Sequence, residues 1–461
     1  MKESRNSGHQ KLSPAKFPRT ELGNARRLVA VHGQDLRYCH QWDRWLVWDK
    51  TRWQLDNTGE TIRRAKTVVD AMLQGVALLE GSERRELLKH VIASSQNRGL
   101  SAMVSLARSE GGIPVRPEDL DRDLDLLNCP NGTVDLRTGE LRAHRREDML
   151  TKCTAASYVA DAPAPEWLAF LGSIFAGDAE LIGFIQRYLG YSLSGRVEEH
   201  VLAVFHGNGA NGKSTLIEAF MHALGPDYST KGAPDLLVVK PGNVHPTERA
   251  DLFGKRFIAA VETDEGKRLS EGLVKELTGG DTVKARRMYE DFWTFRPTWK
   301  IALCTNYKPT IRGTDYGIWR RVLLVPFTQT FDGVRQDRKL LGKLRAERDG
   351  ILAWAVQGCL EWQKRGLGSA EAVDVATQAY KRDQDIVGGF FAGQCVFGAR
   401  CWVRLKDLRA AYEEWAVDSG MPVLNPKRFA SEIETHGGER FTNNGTCYRG
   451  IGLKQASAEV T

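Results

Sequence analysis

The stretch that decides the fold is Val201–Phe220, which reads VLAVFHGNGANGKSTLIEAF. An apolar run leads into a glycine-rich turn, and the turn opens directly into an amphipathic helical pattern. We predict a buried parallel strand at Leu202–Phe205 and a helix at Ser214–Ala223. The turn itself, GNGANGKS, fits the phosphate-loop pattern G-x-x-x-x-G-K-[ST]. The sequence therefore predicts an α/β fold organised around a phosphate-binding loop.

This loop predicts a site for ATP and Mg²⁺. Its glycines allow backbone N–H groups to curl around phosphate oxygens, and the helix N-terminus adds partial positive charge. Lys213 is expected to reach the β- and γ-phosphates, and the Ser214 hydroxyl is expected to bind Mg²⁺. A glycine-rich turn that binds nothing is the alternative, and the strand, loop, helix order argues against it. The predicted nucleotide-binding residues are Gly207, Asn208, Gly209, Ala210, Asn211, Gly212, Lys213, Ser214 and Thr215.

Polar side chains follow two further predicted strands. Acidic residues begin where the buried run Phe257–Val261 ends, and Glu262 is placed to orient or deprotonate the attacking water. Either Asp264 or Glu265 could help hold Mg²⁺, and the sequence leaves that choice open. Asn306 follows the next buried strand, where its amide could bind the γ-phosphate or the lytic water.

Basic residues occur at two places after the phosphate loop. Arg320 and Arg321 precede a predicted strand, and either guanidinium could cross to the ATP of a neighbouring subunit, although adjacent arginines are usually surface residues. Lys284, Arg286 and Arg287 lie on or near a predicted hairpin made of Val283–Tyr289 and Phe292–Phe295. Such a hairpin can follow a sugar-phosphate backbone, and a subunit interface or a solvated surface is the alternative.

The composition allows a polyanionic partner without requiring one. The 461 residues carry a formal net charge of +7. The eight cysteines include no C-x-x-C pair, so reduced thiols in a cytosolic compartment are the simpler interpretation than a zinc site. The amino end is polar and no apolar run reaches membrane-spanning length. We therefore expect a cytoplasmic protein, in a bacterial host, with no membrane partner.

Changes in composition along the chain predict six regions. A cluster of four tryptophans, QWDRWLVWDKTRWQLD at 41–56, is expected to form the core of a small sheet, with base stacking as the alternative. The predicted regions are a disordered basic arm at 1–22, an N-terminal α+β domain at 23–160, a helical collar at 161–198, an ATPase core at 199–330, a helical lid at 331–370 and a C-terminal winged-helix-like domain at 371–461.

The winged-helix prediction comes from the last elements of the chain. Leu405–Ala416 and Pro426–Thr435 have helical patterns, and Arg440–Lys454 is predicted to form a two-stranded wing that turns at Asn444 and Gly445. Basic residues would give this module a face for duplex DNA. A small domain that contacts protein is the alternative.

Five motifs in a fixed order carry a family resemblance. GNGANGKS, FIAAVETDE, KELTGGDTVKAR, LCTN and WRRVLLVPF resemble a superfamily 3 helicase of the AAA+ class, in the phage, plasmid and poxvirus primase-helicase family. The similarity covers roughly residues 40 to 370 and is most specific between 200 and 330. It implies ATP hydrolysis at the subunit interfaces of a ring, usually a hexamer, that translocates 3′ to 5′ on single-stranded DNA.

The resemblance also assigns roles to individual residues. It implies that Glu262 is the catalytic acid, Asn306 the sensor, and Arg320 or Arg321 the arginine finger. Lys284 and Arg286 fall in the segment that forms the DNA-contacting hairpin of the family.

We therefore expect a replicative helicase of a phage, prophage or plasmid that acts on single-stranded and forked DNA. Many relatives carry a primase domain ahead of this region, and we expect none here, so that a separate primase or polymerase would be a partner. The alternative function is an origin-binding or loading factor whose ATP use controls assembly and which does not unwind DNA.

Overall fold

The computed structural model describes residues 17–233, 235–239, 246–262, 265–286, 292–311, 316–333, 336–421 and 423–454. The chain forms two compact units. The first comprises the described residues up to Ala162 together with Ala223–Tyr228. The second comprises Pro163–His222 and the described residues from Ser229 onward. No helix in the described part of the chain has both the length and the apolar character needed to cross a bilayer.

The first unit combines four helices with two small sheets. Its strands stand in the orders β3-β2-β1-β4 and β5-β6-β7, and only the β1–β4 pair is parallel. The elements are α1 (Glu21–His32), β1 (Leu36–Cys39), β2 (Arg44–Trp48), β3 (Trp53–Leu55), α2 (Glu60–Val76), α3 (Gly81–Ser95), α4 (Asn97–Ala107), β4 (Pro114–Val115), β5 (Leu126–Cys129), β6 (Gly132–Asp135) and β7 (Glu140–Arg142).

The predicted tryptophan core of a small sheet is confirmed for three of the four rings. Trp45, Trp48 and Trp53 are buried on β2 and β3, whereas Trp42 is exposed. Apolar residues of the four helices pack on β1 and β2 and form the main core of this unit. The tryptophans therefore stabilise the fold here, because burying aromatic area is their largest contribution.

The predicted disordered arm at 1–22 needs a correction at its carboxyl end. The Thr20 side chain accepts a hydrogen bond from the Gly23 N–H and caps α1, which begins at Glu21. Arg27 is buried and its guanidinium donates to the backbone carbonyl of Phe17. The rest of the arm, residues 1–16, lies outside the described residues.

The second unit contains a five-stranded parallel sheet, a hairpin and a C-terminal module. The sheet order is β14-β8-β13-β10-β9, and β11 pairs with β12. The elements up to the module are α5 (Pro165–Ile174), α6 (Ala179–Tyr191), β8 (Leu202–His206), α7 (Lys213–Tyr228), β9 (Ser229–Lys231), α8 (Pro246–Ala250), β10 (Phe257–Glu262), α9 (Glu271–Thr278), β11 (Val283–Ala285), β12 (Trp293–Phe295), β13 (Lys300–Thr305), α10 (Tyr316–Trp319), β14 (Val322–Pro326), α11 (Leu340–Ala346), α12 (Arg348–Arg365) and α13 (Glu371–Gln384).

The sequence predicts the centre of this unit well. The strand at Leu202–Phe205 is confirmed as the buried β8, which pairs in parallel with β13 and β14. The predicted helix is confirmed as α7, which is longer than predicted and is broken at Gly225, where φ is +76°. The two helices predicted ahead of the loop are confirmed as α5 and α6. Apolar residues of the sheet, α9 and the hairpin form one continuous core.

Two helices of this unit approach closely through glycines. Gly190 on α6 faces the backbone of Cys359 on α12, and Gly358 on α12 faces the carbonyl of Gln186 on α6. A Cβ added at Gly190 would lie 2.1 Å from the Cys359 nitrogen, and one added at Gly358 would lie 2.0 Å from the Gln186 oxygen. Only glycine permits this backbone distance between the two helices.

The C-terminal module has more elements than the sequence predicts. The predicted helices are confirmed as α15 and α16, and the two predicted strands as β16 and β17. A helix and a strand ahead of them were not predicted, and this strand joins the β16–β17 pair to form a three-stranded antiparallel sheet in the order β15-β17-β16. The elements are α14 (Ile386–Gln394), β15 (Cys395–Arg404), α15 (Leu405–Asp418), α16 (Pro426–Thr435), β16 (Glu439–Thr442) and β17 (Thr446–Leu453).

Candidate nucleotide site and basic hairpin

Four neighbouring parallel strands end in one row across the central sheet. The register pairs Pro326 of β14 with His206 of β8, His206 with Thr305 of β13, and Thr305 with Glu262 of β10. The phosphate loop follows His206, and Asn306 follows Thr305. The sheet therefore brings the predicted loop, the predicted sensor and the predicted acid to one edge, which is where α/β sheets bind ligands.

Two glycines of the phosphate loop, Gly207 and Gly212, occupy positions where a side chain would clash with neighbouring atoms. A Cβ added at Gly207 would lie 2.3 Å from the Asn211 amide nitrogen and 2.4 Å from the Phe327 carbonyl oxygen. Gly212 has φ of +86°, and a Cβ there would lie 2.5 Å from the Ile174 side chain. Gly207 is therefore required because neighbouring atoms leave no room for a Cβ, and Gly212 because its backbone is in the left-handed region.

The end of the loop is also the start of α7. The first backbone bond across this junction joins the Leu216 N–H to the Gly212 carbonyl at 2.9 Å. The amides of Lys213, Ser214 and Thr215 precede that bond, so they belong to the N-terminal turn whose N–H groups have no partner within a helix. Ser214 is exposed at this end. Such a turn can donate several hydrogen bonds to one anion.

Lys213 is the central side chain of the site. Its ammonium is buried and donates to the Gly207 carbonyl at 2.6 Å, to Asn211 Oδ1 at 3.0 Å and to Asn306 Oδ1 at 3.1 Å. Burial lowers the pKa of Lys213. None of the carboxylates whose side chains the structure describes forms a salt bridge with it. Among the described side chains this buried cation therefore has neutral oxygen partners, and a phosphate oxygen would add a negative charge beside it.

The predicted acids are described only in part. Glu262 is the last residue of β10, but its side chain lies outside the described part of the chain. Asp264 lies outside the described residues altogether, and Glu265 is exposed in the turn that follows. The choice between Asp264 and Glu265 as a Mg²⁺ ligand therefore stays a prediction with both alternatives.

The two predicted arginines differ in their surroundings. The Arg320 side chain is exposed. Arg321 is half-buried, and its guanidinium donates to the Gly317 carbonyl at 2.7 Å, while its backbone carbonyl accepts from the Leu202 N–H. Arg321 thus contacts both α10 and β8, whereas the guanidinium of Arg320 lies at the surface.

The predicted basic hairpin places two cations close to one aromatic ring. The Lys284 ammonium and the Arg286 guanidinium carbon each lie 4.8 Å from the ring centre of Phe292. The Phe292 side chain is 48% exposed, so one cluster presents positive charge and an accessible aromatic surface. Arg287, the third predicted residue, lies outside the described residues.

Sequence reasoning missed three contributors to these sites. Phe292 was assigned only to a strand, although an aromatic residue near basic residues of a hairpin is a usable signal. Phe327 and Phe331 follow β14; the Phe327 N–H donates to the His206 carbonyl, and the Phe331 N–H donates to the Ala210 carbonyl, both at 2.7 Å. These backbone contacts place the chain after β14 along the phosphate loop, and nothing in the residue types announces them.

Two family models match parts of the chain. Residues 25–176 match a family described as D5 N terminal like, and residues 205–321 match a family of unknown function, DUF5906. The second match begins and ends close to the phosphate loop and the paired arginines.

Viral proteins are among the relatives of this chain. A putative helicase L207/L206 of Acanthamoeba polyphaga mimivirus is 28% identical over 323 residues, which cover 64% of this chain and 33% of that protein. A putative helicase 184R of Invertebrate iridescent virus 6 is 25% identical, covering 65% of this chain and 32% of that protein. A putative primase C962R of African swine fever virus is 25% identical, with 65% and 34% covered. The chain thus spans about a third of the length of these relatives.

A solved structure shows a weak similarity to most of the chain. The apo structure of the NrS-1 C-terminal region is 11% identical with a TM-score of 0.49, and the match covers 93% of this chain and 99% of that one.

Proposed function

We propose that this protein is an ATP-driven DNA helicase of the superfamily 3 type, with an AAA+ core, that serves the replication of a phage, prophage or plasmid. The observation that carries the proposal is the buried Lys213 ammonium, which has three neutral oxygen partners at the carboxyl edge of a parallel sheet. The similarity to viral proteins named putative helicases supports helicase activity.

The residues present fit a nucleoside triphosphate with Mg²⁺. Bound there, ATP would supply the phosphoryl group whose hydrolysis drives movement. The amides of the α7 N-terminus and Lys213 would hold its phosphates, and Ser214 with Asp264 or Glu265 would hold the metal. Glu262 would accept a proton from the attacking water, and Asn306, already bonded to Lys213, would orient that water.

The assembly is part of the proposal. Arg320 is exposed, so its guanidinium would complete the site of an adjoining copy in a ring, most simply a hexamer. The Lys284 and Arg286 hairpin, with Phe292, would contact single-stranded DNA. A separate primase or polymerase would be a partner of such a ring.

The proposal is tested by replacing Lys213. We expect Lys213→Ala to reduce DNA-stimulated ATP hydrolysis by about 100-fold or more, because the charge that matches the phosphates is lost. Lys231→Ala is the matched control, since Lys231 lies on β9, is exposed and forms a salt bridge with Glu218. Unchanged turnover in Lys213→Ala would reject the site.

An ATP-regulated origin-binding or loading factor is the second candidate. The C-terminal module favours it, because two helices followed by a hairpin in a three-stranded sheet is a winged-helix-like arrangement that suits duplex DNA. A strand-displacement assay on forked DNA separates the two functions. ATP hydrolysis without strand displacement would favour the loading factor.

A further inference from the structure

The three-stranded sheet of the C-terminal module has one buried face and one exposed face. Val403 of β15 is paired with Tyr448 of β17, and both side chains are buried in the core of the module. Directly opposed residues on antiparallel strands share a face, and neighbours along a strand alternate. The register therefore assigns the residues on either side of this pair to the opposite, outer face.

Two rows of side chains cross that outer face. In the first row Trp402 of β15 is opposed to Arg449 of β17, and Arg449 to Glu439 of β16. In the second row Arg404, Cys447 and Phe441 take the corresponding positions. We call Trp402, Arg404, Phe441 and Arg449 the sheet face.

The aromatic residues of the sheet face are arranged around a cation. The Arg449 guanidinium carbon lies 4.6 Å from the ring centre of Phe441, and the rings of Trp402 and Phe441 are 6.4 Å apart at 73°. Trp402 is nevertheless 50% exposed. A tryptophan exposed to this extent on a sheet presents a flat apolar surface on which a planar ligand can stack.

The strands β15, β16 and β17 contain four arginines, at 400, 404, 440 and 449, and one acidic residue, Glu439. Arg404 and Arg449 lie on the sheet face with Glu439, whereas Arg440 is opposed to Tyr448 and belongs to the other face. All four arginines are exposed, and none of them forms a salt bridge with a carboxylate that the structure describes. An aromatic surface bordered by unpaired arginines is complementary to a polyanion that carries flat apolar groups.

We propose that the sheet face binds single-stranded DNA, with unpaired bases stacked on Trp402 and Phe441 and phosphates contacted by Arg404 and Arg449. Stacking requires a base whose flat side is free, so this surface selects single-stranded over duplex DNA. The site is distinct from the basic hairpin and from the helices of the module. It rests on the proposed function for the identity of the polymer, and it requires no nucleotide at Lys213.

The test is oligonucleotide binding by the full chain without ATP. The double variant Trp402→Ala, Phe441→Ala is compared with Val417→Ala, because Val417 is an apolar residue on α15 that is 72% exposed. Fluorescence anisotropy is measured with a labelled deoxythymidine oligomer of about 20 nucleotides and with a matched duplex. We expect the double variant to bind the single strand about 5- to 100-fold more weakly and the duplex unchanged, while Val417→Ala matches the wild type.

Two further variants separate possible explanations. Trp402→Phe keeps an aromatic surface and should restore most of the single-strand affinity in the presence of Phe441. Lys213→Ala should bind the oligomer as the wild type does, because the sheet face does not include the nucleotide site. If this variant still hydrolysed ATP, the proposed function would be rejected, whereas the inference about the sheet face would be unaffected.

Three results would overturn the inference. Unchanged single-strand affinity in the double variant shows that no base stacks there. An equal loss of affinity for the single strand and the duplex shows a contact that does not depend on free bases. A change in oligomeric state with unchanged DNA affinity assigns the face to another copy of the chain.

Discussion

The Lys213 ammonium is a buried charge whose partners, in the part of the chain that the structure describes, are neutral oxygen atoms. Three oxygen atoms accept from the ammonium, and Asn306 supplies one of them from a different strand end. A neutral oxygen stabilises a buried cation less than a carboxylate does. The residue at position 306 therefore affects both the stability of the ligand-free protein and its affinity for a phosphate ligand.

Replacement of Asn306 should separate stability from ligand affinity. In Asn306→Asp a carboxylate takes a position 3.1 Å from the Lys213 ammonium. We expect the free protein to become more stable by about 1–2 kcal/mol and its affinity for ATP to fall by about 10-fold or more, because the new negative charge repels phosphate. Thermal unfolding and nucleotide titration measure the two effects.

The matched change is Asn306→Ala, which removes the hydrogen bond without adding charge. We expect it to lower stability by about 1 kcal/mol. A stability gain in the alanine variant, or unaltered ATP affinity in the aspartate variant, would contradict the role of Asn306.

At this scale the sequence predicts what is local. Gly207 and Lys213 belong to one short motif, and their conformation follows from that motif. The bond between Lys213 and Asn306 joins residues far apart in sequence, and it was not predicted, because it depends on β8 and β13 ending side by side in the sheet. The difference between exposed Arg320 and half-buried Arg321 depends on how α10 meets the sheet, which two adjacent arginines do not reveal.

Among the elements, the α6 and α12 pair depends most directly on residue size. A Cβ at Gly358 would lie 2.0 Å from a backbone oxygen, so Gly358→Ala must move one helix. We expect a loss of about 2–3 kcal/mol in the free energy of unfolding, measured by denaturant titration. Gly172→Ala is the control, because Gly172 lies within α5 and a Cβ there meets no atom within 4 Å. That variant should gain about 0.5–1 kcal/mol, and an equal loss in both would exclude close packing as the cause.

The start of α14 carries a pH-dependent contact. Asp385 accepts from the Gly388 N–H as the N-cap of α14 and lies 3.1 Å from the His436 Nε2. The hydrogen bond with Asp385 raises the pKa of His436 although burial opposes it. Burial alone would raise the pKa of Asp385, yet the hydrogen bonds from His436 and the α14 backbone hold it below its ordinary range.

These two shifts define a pH window. The His436 contribution is fully present below the ordinary histidine pKa and is lost as the pH rises through the raised value; the Asp385 contribution is lost as the pH falls through the lowered carboxyl value. We therefore expect the pair to stabilise the protein by about 1 kcal/mol near pH 6 and not near pH 9. Asp385→Asn keeps the N-cap acceptor and should remove this difference in thermal unfolding. A variant with the same pH profile as the wild type would contradict the assignment.

The elements that sequence reasoning missed share a physical cause. The middle of β15 is exposed on both sides, so the strand lacks the apolar alternation that identifies a half-buried strand. Its partner is β17, which comes after two helices, and this pairing stabilises it more than local propensity does. By contrast, α16 was predicted with its observed ends, because Asn425 caps it and Pro426 begins it.

At the scale of the whole molecule, the proposed ring predicts that activity is shared between chains. We expect Arg320→Ala to lower ATP turnover by about 1000-fold, and a mixture of Arg320→Ala with Lys213→Ala to recover part of it, since some interfaces would join an intact loop to an intact arginine. The measurement is turnover against mixing ratio. If no mixture exceeds the sum of the separate variants, Arg320 acts within its own chain or not at all.

The division of the chain into two units cuts through α7. Its last residues, Ala223–Tyr228, belong to the first unit, where Asp227 pairs with Arg52 and the Tyr228 hydroxyl accepts from the Asn128 N–H. The predicted boundary at residue 160 and the observed one at Ala162 are close, but the returning segment has no sequence signal. Because this segment follows the phosphate loop in the sequence, its contacts can form only after the loop has been synthesised.

The assignment of Ala223–Tyr228 to the first unit affects the order in which that unit is completed during synthesis of the chain. A ribosome releases residues 17–162 well before Asp227 and Tyr228, so the nascent first unit waits for its final segment until the phosphate loop and most of α7 have left the exit tunnel. Arg52 and Asn128 stay without these partners during that interval. The amino-terminal unit can therefore make its full set of contacts only in a chain that already contains the phosphate loop.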